Sequence, residues 1–369
     1  AIVGSSVTLT IESNGAINPP ACAFTTTTAD GAVSLADVYT VDTSSLAGVS
    51  WTCTVFMTDA DLDGPIGFTI DGTDLAGNAL VQVTPDSPVS SVWDITFDKT
   101  APVLDSVRIV SSNVDNALAK PGDTVDLFLS TNPADDSIDP PECAFMVGGQ
   151  VAEPVLRVAP ADGGTEWKCS VLLTAEDMAG AVSFTIDATD LAGNAMVQVS
   201  EVTDSSSVVF DKAVPTLSSV SIASDNDVDT YAMTANTATV AIVASEAITA
   251  PTCTFTVGGA AAEGAAPTVA PVADSSGTEW TCTYTLAAGD SEGLVGFTIS
   301  GSTDLAGNDL EAVTAVTEGG GSVTFDKTAP TLSAVTISST APTTHSSSSA
   351  GVGDEVTLLF TSDEALGSD

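Results

Sequence analysis

Basic side chains are nearly missing from this 369-residue chain: Lys and Arg total seven, and the single His stands at position 345. Against them are 49 Asp and Glu, for a formal net charge of −42. This balance excludes a nucleic-acid partner, because binding a phosphate backbone depends on Lys and Arg displacing its counterions. It excludes an anionic membrane surface for the same reason. One His removes most imidazole catalysis and His-based zinc chemistry. No apolar run approaches 18 residues, so no transmembrane helix and no membrane insertion is expected. No Asn-x-Ser/Thr sequon occurs, so N-glycosylation is not expected. No nucleophile with a base, Gly-rich phosphate loop or distinct carboxylate pair stands out, and no enzyme is expected.

What is present reads as all-β. The acid is mostly Asp, 35 against 14 Glu. Asp favours turns over helices because its short side chain bonds to nearby backbone. Thr, Ser, Val, Gly and Ala are frequent, and no long segment repeats its apolar residues every 3.6 positions. Apolar residues make up 43% of the chain, enough for a core in each domain.

Internal repetition is the strongest signal. Asp-Leu-Ala-Gly-Asn occurs at 74–78, 190–194 and 304–308, and Phe-Asp-Lys at 97–99, 210–212 and 325–327. Trp-x-Cys occurs at 51–53, 167–169 and 280–282, and Phe-Thr-Ile at 68–70, 184–186 and 297–299. Four markers in constant order with one period of about 115 residues divide the chain into repeats of domain size. The expected domains are 1–100 (lacking its first strand), 101–212, 213–327, and the opening strands of a fourth repeat over 328–369. The phase suggests a window from a longer array, and no signal peptide is visible at Ala1. Head-to-tail complementation, with the surplus end supplying a strand to the next molecule, is the alternative.

Each repeat reads as seven short strands, which in the second are 104–110, 124–130, 142–147, 151–158, 166–173, 181–187 and 206–210. Period-2 alternation points Val125, Leu127 and Leu129 inward, with Cys143, Phe145 and Val147 on the next strand. Trp167, Cys169 and Val171 also face in, and Lys168 and Ser170 face out. Seven strands in about 115 residues fit an immunoglobulin-like sandwich. Six cysteines allow 15 pairings. Repetition selects Cys22–Cys53, Cys143–Cys169 and Cys253–Cys282, because each complete repeat must be self-sufficient. Buried free thiols are the alternative. Disulfides joining strands three and five imply an oxidising compartment.

With these motifs in view, the chain resembles the tandem immunoglobulin-like modules of very large extracellular and surface proteins of bacteria and marine unicellular eukaryotes. The Asp-x-Ala-Gly-Asn turn and the Phe-Asp-Lys-Thr-Ala-Pro junction at 97–102 and 325–330 carry the resemblance. The middle junction departs from it, reading Phe-Asp-Lys-Ala-Val-Pro at 210–215. The cysteine pairs bring it nearer to algal or protist members. The resemblance implies adhesin stalks, surface spacers or fibre components.

Candidate sites follow from the repeats. The Asp-Leu-Ala-Gly-Asn segment reads as a turn with Gly at positive φ. Its oxygens also offer a calcium site at Asp71, Asp74 and Asn78, at Asp187, Asp190 and Asn194, and at Asp304 and Asn308. Lys99, Lys212 and Lys327 recur at one repeat position, as ion-pair partners of a junction acid or halves of an isopeptide bond. The tryptophans of Trp-x-Cys are expected in the core. Trp93 occurs in the first repeat only and is a candidate assembly contact. The hydroxyl runs at 25–28 and 346–349 are candidate O-glycan carriers or exposed strand ends and loops. The expected partners are other copies of the chain, joined end to end or laterally. The expected function is a segment of an extracellular or cell-surface fibre, the alternative being the spacer stalk of an adhesin whose tip lies elsewhere.

Overall fold

The computed structural model describes residues 1–28, 31–36, 38–42, 48–88, 94–131, 138–158, 166–317, 319–340 and 349–366. Every regular element among them is a β-strand. No helix is long and apolar enough to cross a membrane. The chain divides into two compact units, 1–213 and 214–369.

In the second half of the first unit, two sheets face each other. One runs in the order Val155–Val158, Glu166–Leu172, Thr124–Thr131, Leu104–Ser111. The other runs Gln150–Ala152, Glu142–Val147, Gly180–Asp187, Val209–Phe210, Leu118–Ala119. All neighbours are antiparallel except the last pair, which is parallel. Alternate residues of both sheets bury one core: Val125, Leu127 and Leu129 from one, Phe145, Val147, Phe184 and Ile186 from the other. Two antiparallel layers over one core make an immunoglobulin-like sandwich.

The pattern recurs. Residues 1–97 build a sheet Ser6–Glu12, Ser50–Phe56, Tyr39–Asp42 and a sheet Gly31–Ser34, Ala21–Thr28, Gly64–Asp71, Thr96–Phe97. Their core is centred on Phe24, Cys53, Val55, Met57 and Phe97. In the second unit, Leu217–Ser224, Thr237–Ala244, Glu279–Thr285 and Thr268–Pro271 face Tyr231–Ala232, Thr324–Phe325, Gly293–Ser300, Thr252–Val257 and Ala260–Ala261 over a third core. The fold is thus all-β, in tandem immunoglobulin-like sandwiches. Leu332–Ser339 and Val356–Ser362 follow as a two-stranded sheet, nearly every residue of which is exposed.

Each of the three sandwiches holds one disulfide: Cys22–Cys53, Cys143–Cys169 and Cys253–Cys282, with Cα atoms 6.3, 6.4 and 6.3 Å apart. Each ties a strand of one sheet to a strand of the other. Cys169, Cys53 and Cys282 are wholly buried. Trp51 is buried, and Trp167 and Trp280 pack half-buried against their cores.

Three details differ from the sequence reading. The fourth strand of the second repeat is two strands in different sheets, Gln150–Ala152 and Val155–Val158. Pro154 stands between them and has no N–H for a ladder. A short strand, Leu118–Ala119, was not expected; two residues carry no period. Ser170 does lie on the outer face, yet it is only 6% exposed, because its hydroxyl donates to Asp126 Oδ1 at 2.5 Å. Lys168 beside it pairs with Asp126 Oδ2 at 3.1 Å.

Candidate functional site

The repeated polar motifs are spent largely on holding backbone. In the first Asp-Leu-Ala-Gly-Asn turn, Asp74 Oδ1 accepts the N–H groups of Ala76 and Asn78 at 2.9 and 2.8 Å. Its Oδ2 accepts Asn78 Nδ2 at 2.7 Å. Asp190 repeats this with the N–H groups of Gly193 and Asn194 at 2.7 and 2.8 Å and with Asn194 Nδ2 at 2.8 Å. Asp304 does so with Asn308 N–H and Nδ2, both at 2.8 Å. Gly77, Gly193 and Gly307 stand at φ of +90°, +103° and +91°, which excludes an ordinary side chain at low cost. The bonds from Asn78, side chain first, then backbone, hold the Asp74 carboxyl below its ordinary value.

The eight acid and amide side chains read as calcium ligands are distributed over three repeats, and in each they bond to neighbouring protein groups. Asp74, Asp190 and Asp304 bind their own Asn partners. Asp71 and Asp187 turn instead to Gln82 and Gln198, accepting Nε2 at 2.9 and 2.8 Å. These bonds support reading the segment as a turn; a calcium ion, which needs six to eight oxygens, would have to share these carboxylates with the N–H groups they accept. The melting temperature is expected to be the same in millimolar calcium and in excess chelator; a rise of several degrees with calcium would overturn this reading of the turn.

The turn also joins repeats within the first unit. Asn194 Nδ2 donates to the carbonyl of Asp98, in the preceding Phe-Asp-Lys, at 3.1 Å. A methyl group built on Gly193 would lie 3.9 Å from Ile2 Cδ1. The turn is accordingly exposed at Asn78 and half-buried at Asn194.

The junction lysines bind main-chain carbonyls rather than carboxylates. Lys99 Nζ donates to the carbonyls of Asp59 and Asp61 at 2.6 and 2.7 Å. Lys327 Nζ does so to Ala288 and Asp290 at 2.9 and 2.7 Å, and Lys212 Nζ to Ala175 at 2.9 Å. The turns so capped are also closed from within. Asp61 Oδ2 accepts Thr58 N–H, and Asp177 Oδ2 accepts Thr174 N–H, both at 2.7 Å. Lys327→Met is expected to cost about 1–2 kcal/mol, since two carbonyls lose a charged donor. Lys212→Met, with one carbonyl, is expected to cost less; thermal melts of the two variants give the order.

The flanking residues vary together. Asp63 accepts Lys99 N–H and Thr100 Oγ1–H, both at 2.8 Å. Glu292 accepts Lys327 N–H at 3.0 Å and Thr328 Oγ1–H at 2.6 Å. The middle repeat has Ala179 at the acid position and Ala213 at the Thr position. Acid and hydroxyl are present together or absent together, as expected of one clasp. The Thr328 hydroxyl and Lys327 amide hold the Glu292 carboxyl below its ordinary value.

The third repeat has a fully buried version of the turn cap. Asp290 and Tyr284 are 1% and 2% exposed. Tyr284 Oη–H donates to Asp290 Oδ2 at 2.7 Å, and Glu263 and Ala287 N–H groups donate to the same carboxylate at 2.7 Å each. Gly264 N–H donates to Tyr284 Oη at 2.7 Å, and Phe255 stacks on the ring at 5.4 Å between centroids. Burial works to raise the Asp290 carboxyl. The Glu263 and Ala287 amides, the Tyr284 hydroxyl and the Lys327 charge outweigh it and hold the group below the ordinary carboxylate value. Burial, then the bond to Asp290, pushes the Tyr284 hydroxyl up.

Sequence reasoning missed these caps, although Thr-x-x-Asp at 58–61 and 174–177 is a turn-capping signal. In the hydroxyl run at 25–28, Thr26 is fully buried, so its hydroxyl cannot carry a glycan. Trp93 and residues 346–348 lie outside the described residues.

No protein-family model and no curated protein sequence matches the chain. Among solved structures it is similar to a three-domain immunoglobulin fragment of titin, I67–I69 in an E-to-A variant. Identity there is 11%, coverage is 88% of this chain and 94% of that one, and the TM-score is 0.35. A marsupial T cell receptor is 10% identical over 86% of this chain and 97% of that one, with a TM-score of 0.33. The ectodomain of mouse nectin-like molecule 4 is 11% identical over 89% and 97%, with a TM-score of 0.29. No functional inference rests on likenesses this distant.

Proposed function

We propose that the chain is a non-catalytic structural segment of an extracellular or cell-surface fibre, built from self-contained repeats over 1–100, 101–212 and 213–327 with the opening of another over 328–369. One observation carries the reading. The side chains that recur in the repeats, Lys99, Lys327, Asp74, Asp190 and Asp304, cap backbone groups, and in Asn194 the same turn reaches the junction before it. That is how an array held under tension would use its polar residues. The disulfides fit an oxidising, extracellular setting. A surface with 49 acids keeps neighbouring arrays apart at low ionic strength, so lateral assembly would need salt, divalent cations or glycans to screen it.

The near-uniformity of the repeats favours a second reading, the spacer stalk of an adhesin whose binding tip lies in other domains. Electron cryomicroscopy of native material separates the two. Ordered filaments with repeat-to-repeat lateral contacts are expected for the fibre; isolated beaded strings would replace it with the stalk.

A further inference from the structure

The second sandwich carries charges of opposite sign on its two outer faces. On one sheet, Arg108, Phe128 and Lys168 lie side by side across three strands, Arg108 opposite Phe128 and Phe128 opposite Lys168. They alternate with the buried Ile109, Leu127 and Cys169, so all three point outward. The guanidinium carbon of Arg108 lies 4.6 Å from the centre of the Phe128 ring, and Lys168 Nζ lies 5.9 Å from it. A ring face attracts cations, so the half-buried phenyl gathers both. Three of the chain's seven basic residues bind junction carbonyls, and two of the other four stand in this row. Lys168 pairs with Asp126, whereas Arg108 is exposed, with Asp204 within range of its charge.

On the other sheet the sign is reversed. Glu142 and Asp187 stand directly opposite each other on neighbouring strands, and both are exposed. Like charges so placed cost stability. Gln198 Nε2 donates to Asp187 at 2.8 Å, but among the described residues no Lys or Arg pairs with either acid. The half-buried Met146 lies on the same face, four residues along the strand from Glu142. Neither feature recurs. The basic row is replaced by Thr10 and Thr52 in the first sandwich and by Ser221, Ala241 and Thr281 in the third. The acid pair is replaced by Ala21 and Asp71, and by Thr252 and Ser300. The repeats keep their cysteines and turns in common, yet the second departs on both outer faces, with opposite sign on each.

We propose that the basic face of the second sandwich of one copy stacks on the acidic face of the second sandwich of another copy, Arg108 and Lys168 meeting Glu142 and Asp187, with Phe128 against Met146. Charge complementarity selects this occupant. An acid pair that the sheet itself disfavours is matched by the cations that the same sandwich carries on its other side. At physiological salt the Debye length is about 8 Å, so the facing groups decide the contact and the more distant acids of the two chains are largely screened. The contact is heterologous: each added copy brings one free basic or acidic face, so association continues sideways without closing. This inference rests on the fibre reading and names the lateral contact within it.

The test is sedimentation velocity of the full chain over a concentration series at physiological salt. Reversible, concentration-dependent association is expected. Arg108→Glu with Lys168→Glu is expected to weaken it by at least about tenfold, because like charges then face each other. Glu142→Lys with Asp187→Lys is expected to do the same. It also removes the like-charge pair within the sheet, so its melting temperature should not fall. Each double variant alone is expected to stay single while an equal mixture of the two associates, which a loss of folding would not produce. A parent chain that stays monomeric at every concentration would overturn the proposal. So would association that persists in both variants, which leaves a fibre joined through other contacts. An effect of the first variant without the second would give the basic face to a different anion and overturn it as well. The fibre reading itself stands or falls with the electron micrographs of native material.

Discussion

Asp290→Ala is expected to destabilise the 214–369 unit by about 3–5 kcal/mol, far more than a typical loop substitution. Three donors lose their acceptor at once: Tyr284 Oη–H and the N–H groups of Glu263 and Ala287. Neither side chain can turn to water, since both are buried. Asp61→Ala and Asp177→Ala remove a similar cap from turns whose other residues are exposed and are expected to cost about 1 kcal/mol or less, which makes them controls. The pH dependence has a definite sign. Asp290 titrates lower in the folded state, so its contribution is complete above the ordinary carboxylate value and fades as pH falls through the lower folded value. Tyr284 titrates higher in the folded state, so its contribution is complete below pH ~10 and fades as pH rises beyond that. Chemical denaturation of Asp290→Asn over pH 2–7 should show a flatter acid limb than the parent; an identical limb would remove Asp290 from the account.

The second large effect is expected from the disulfides. The pair substitution Cys143→Ala, Cys169→Ala opens a 26-residue loop and is expected to cost about 3–4 kcal/mol, with a fall in Tm of roughly 15 °C or more. The other two bridges close 31 and 29 residues, and loop-closure entropy grows so slowly that all three should be worth the same within a few tenths of a kcal/mol. Calorimetry with and without reductant measures the sum, and the pair variants measure each bridge. Equal melts for oxidised and reduced protein would mean that the sandwiches owe nothing to the cross-links.

Much of the fold was legible because its signals are local and recur. Alternation at Val125, Leu127 and Leu129 settles which face of the strand is buried, and the same apolar spacing around each Trp-x-Cys gives the opposing strand. Repetition reduced the cysteine pairing to one self-consistent set. The polar detail was legible only as location. Lys99, Lys212 and Lys327 were seen to recur, but a Lys that binds carbonyls carries no sequence partner to match. The Asp of Asp-Leu-Ala-Gly-Asn was visible as a source of oxygens, whereas the bonds both its oxygens accept from the Asn four residues on are a three-dimensional fact about one tight turn. The switch of sheets at Pro154 was hidden because residues 151–158 read as one weak strand in either arrangement. Ser170 faces outward as alternation requires, and only the reach of Asp126 across the ladder buries it.

The central claim is that each of the three sandwiches is a separate folded unit cross-linked across its two layers. Pulling single chains from both ends tests it most directly. The account predicts separate unfolding events for the three sandwiches, each shortened by the residues its disulfide locks away. On reduction each event should lengthen by about 9–11 nm, since the locked loops hold 26 to 31 residues at roughly 3.5 Å each. A single event for the whole chain, or step lengths that reductant leaves unchanged, would contradict it.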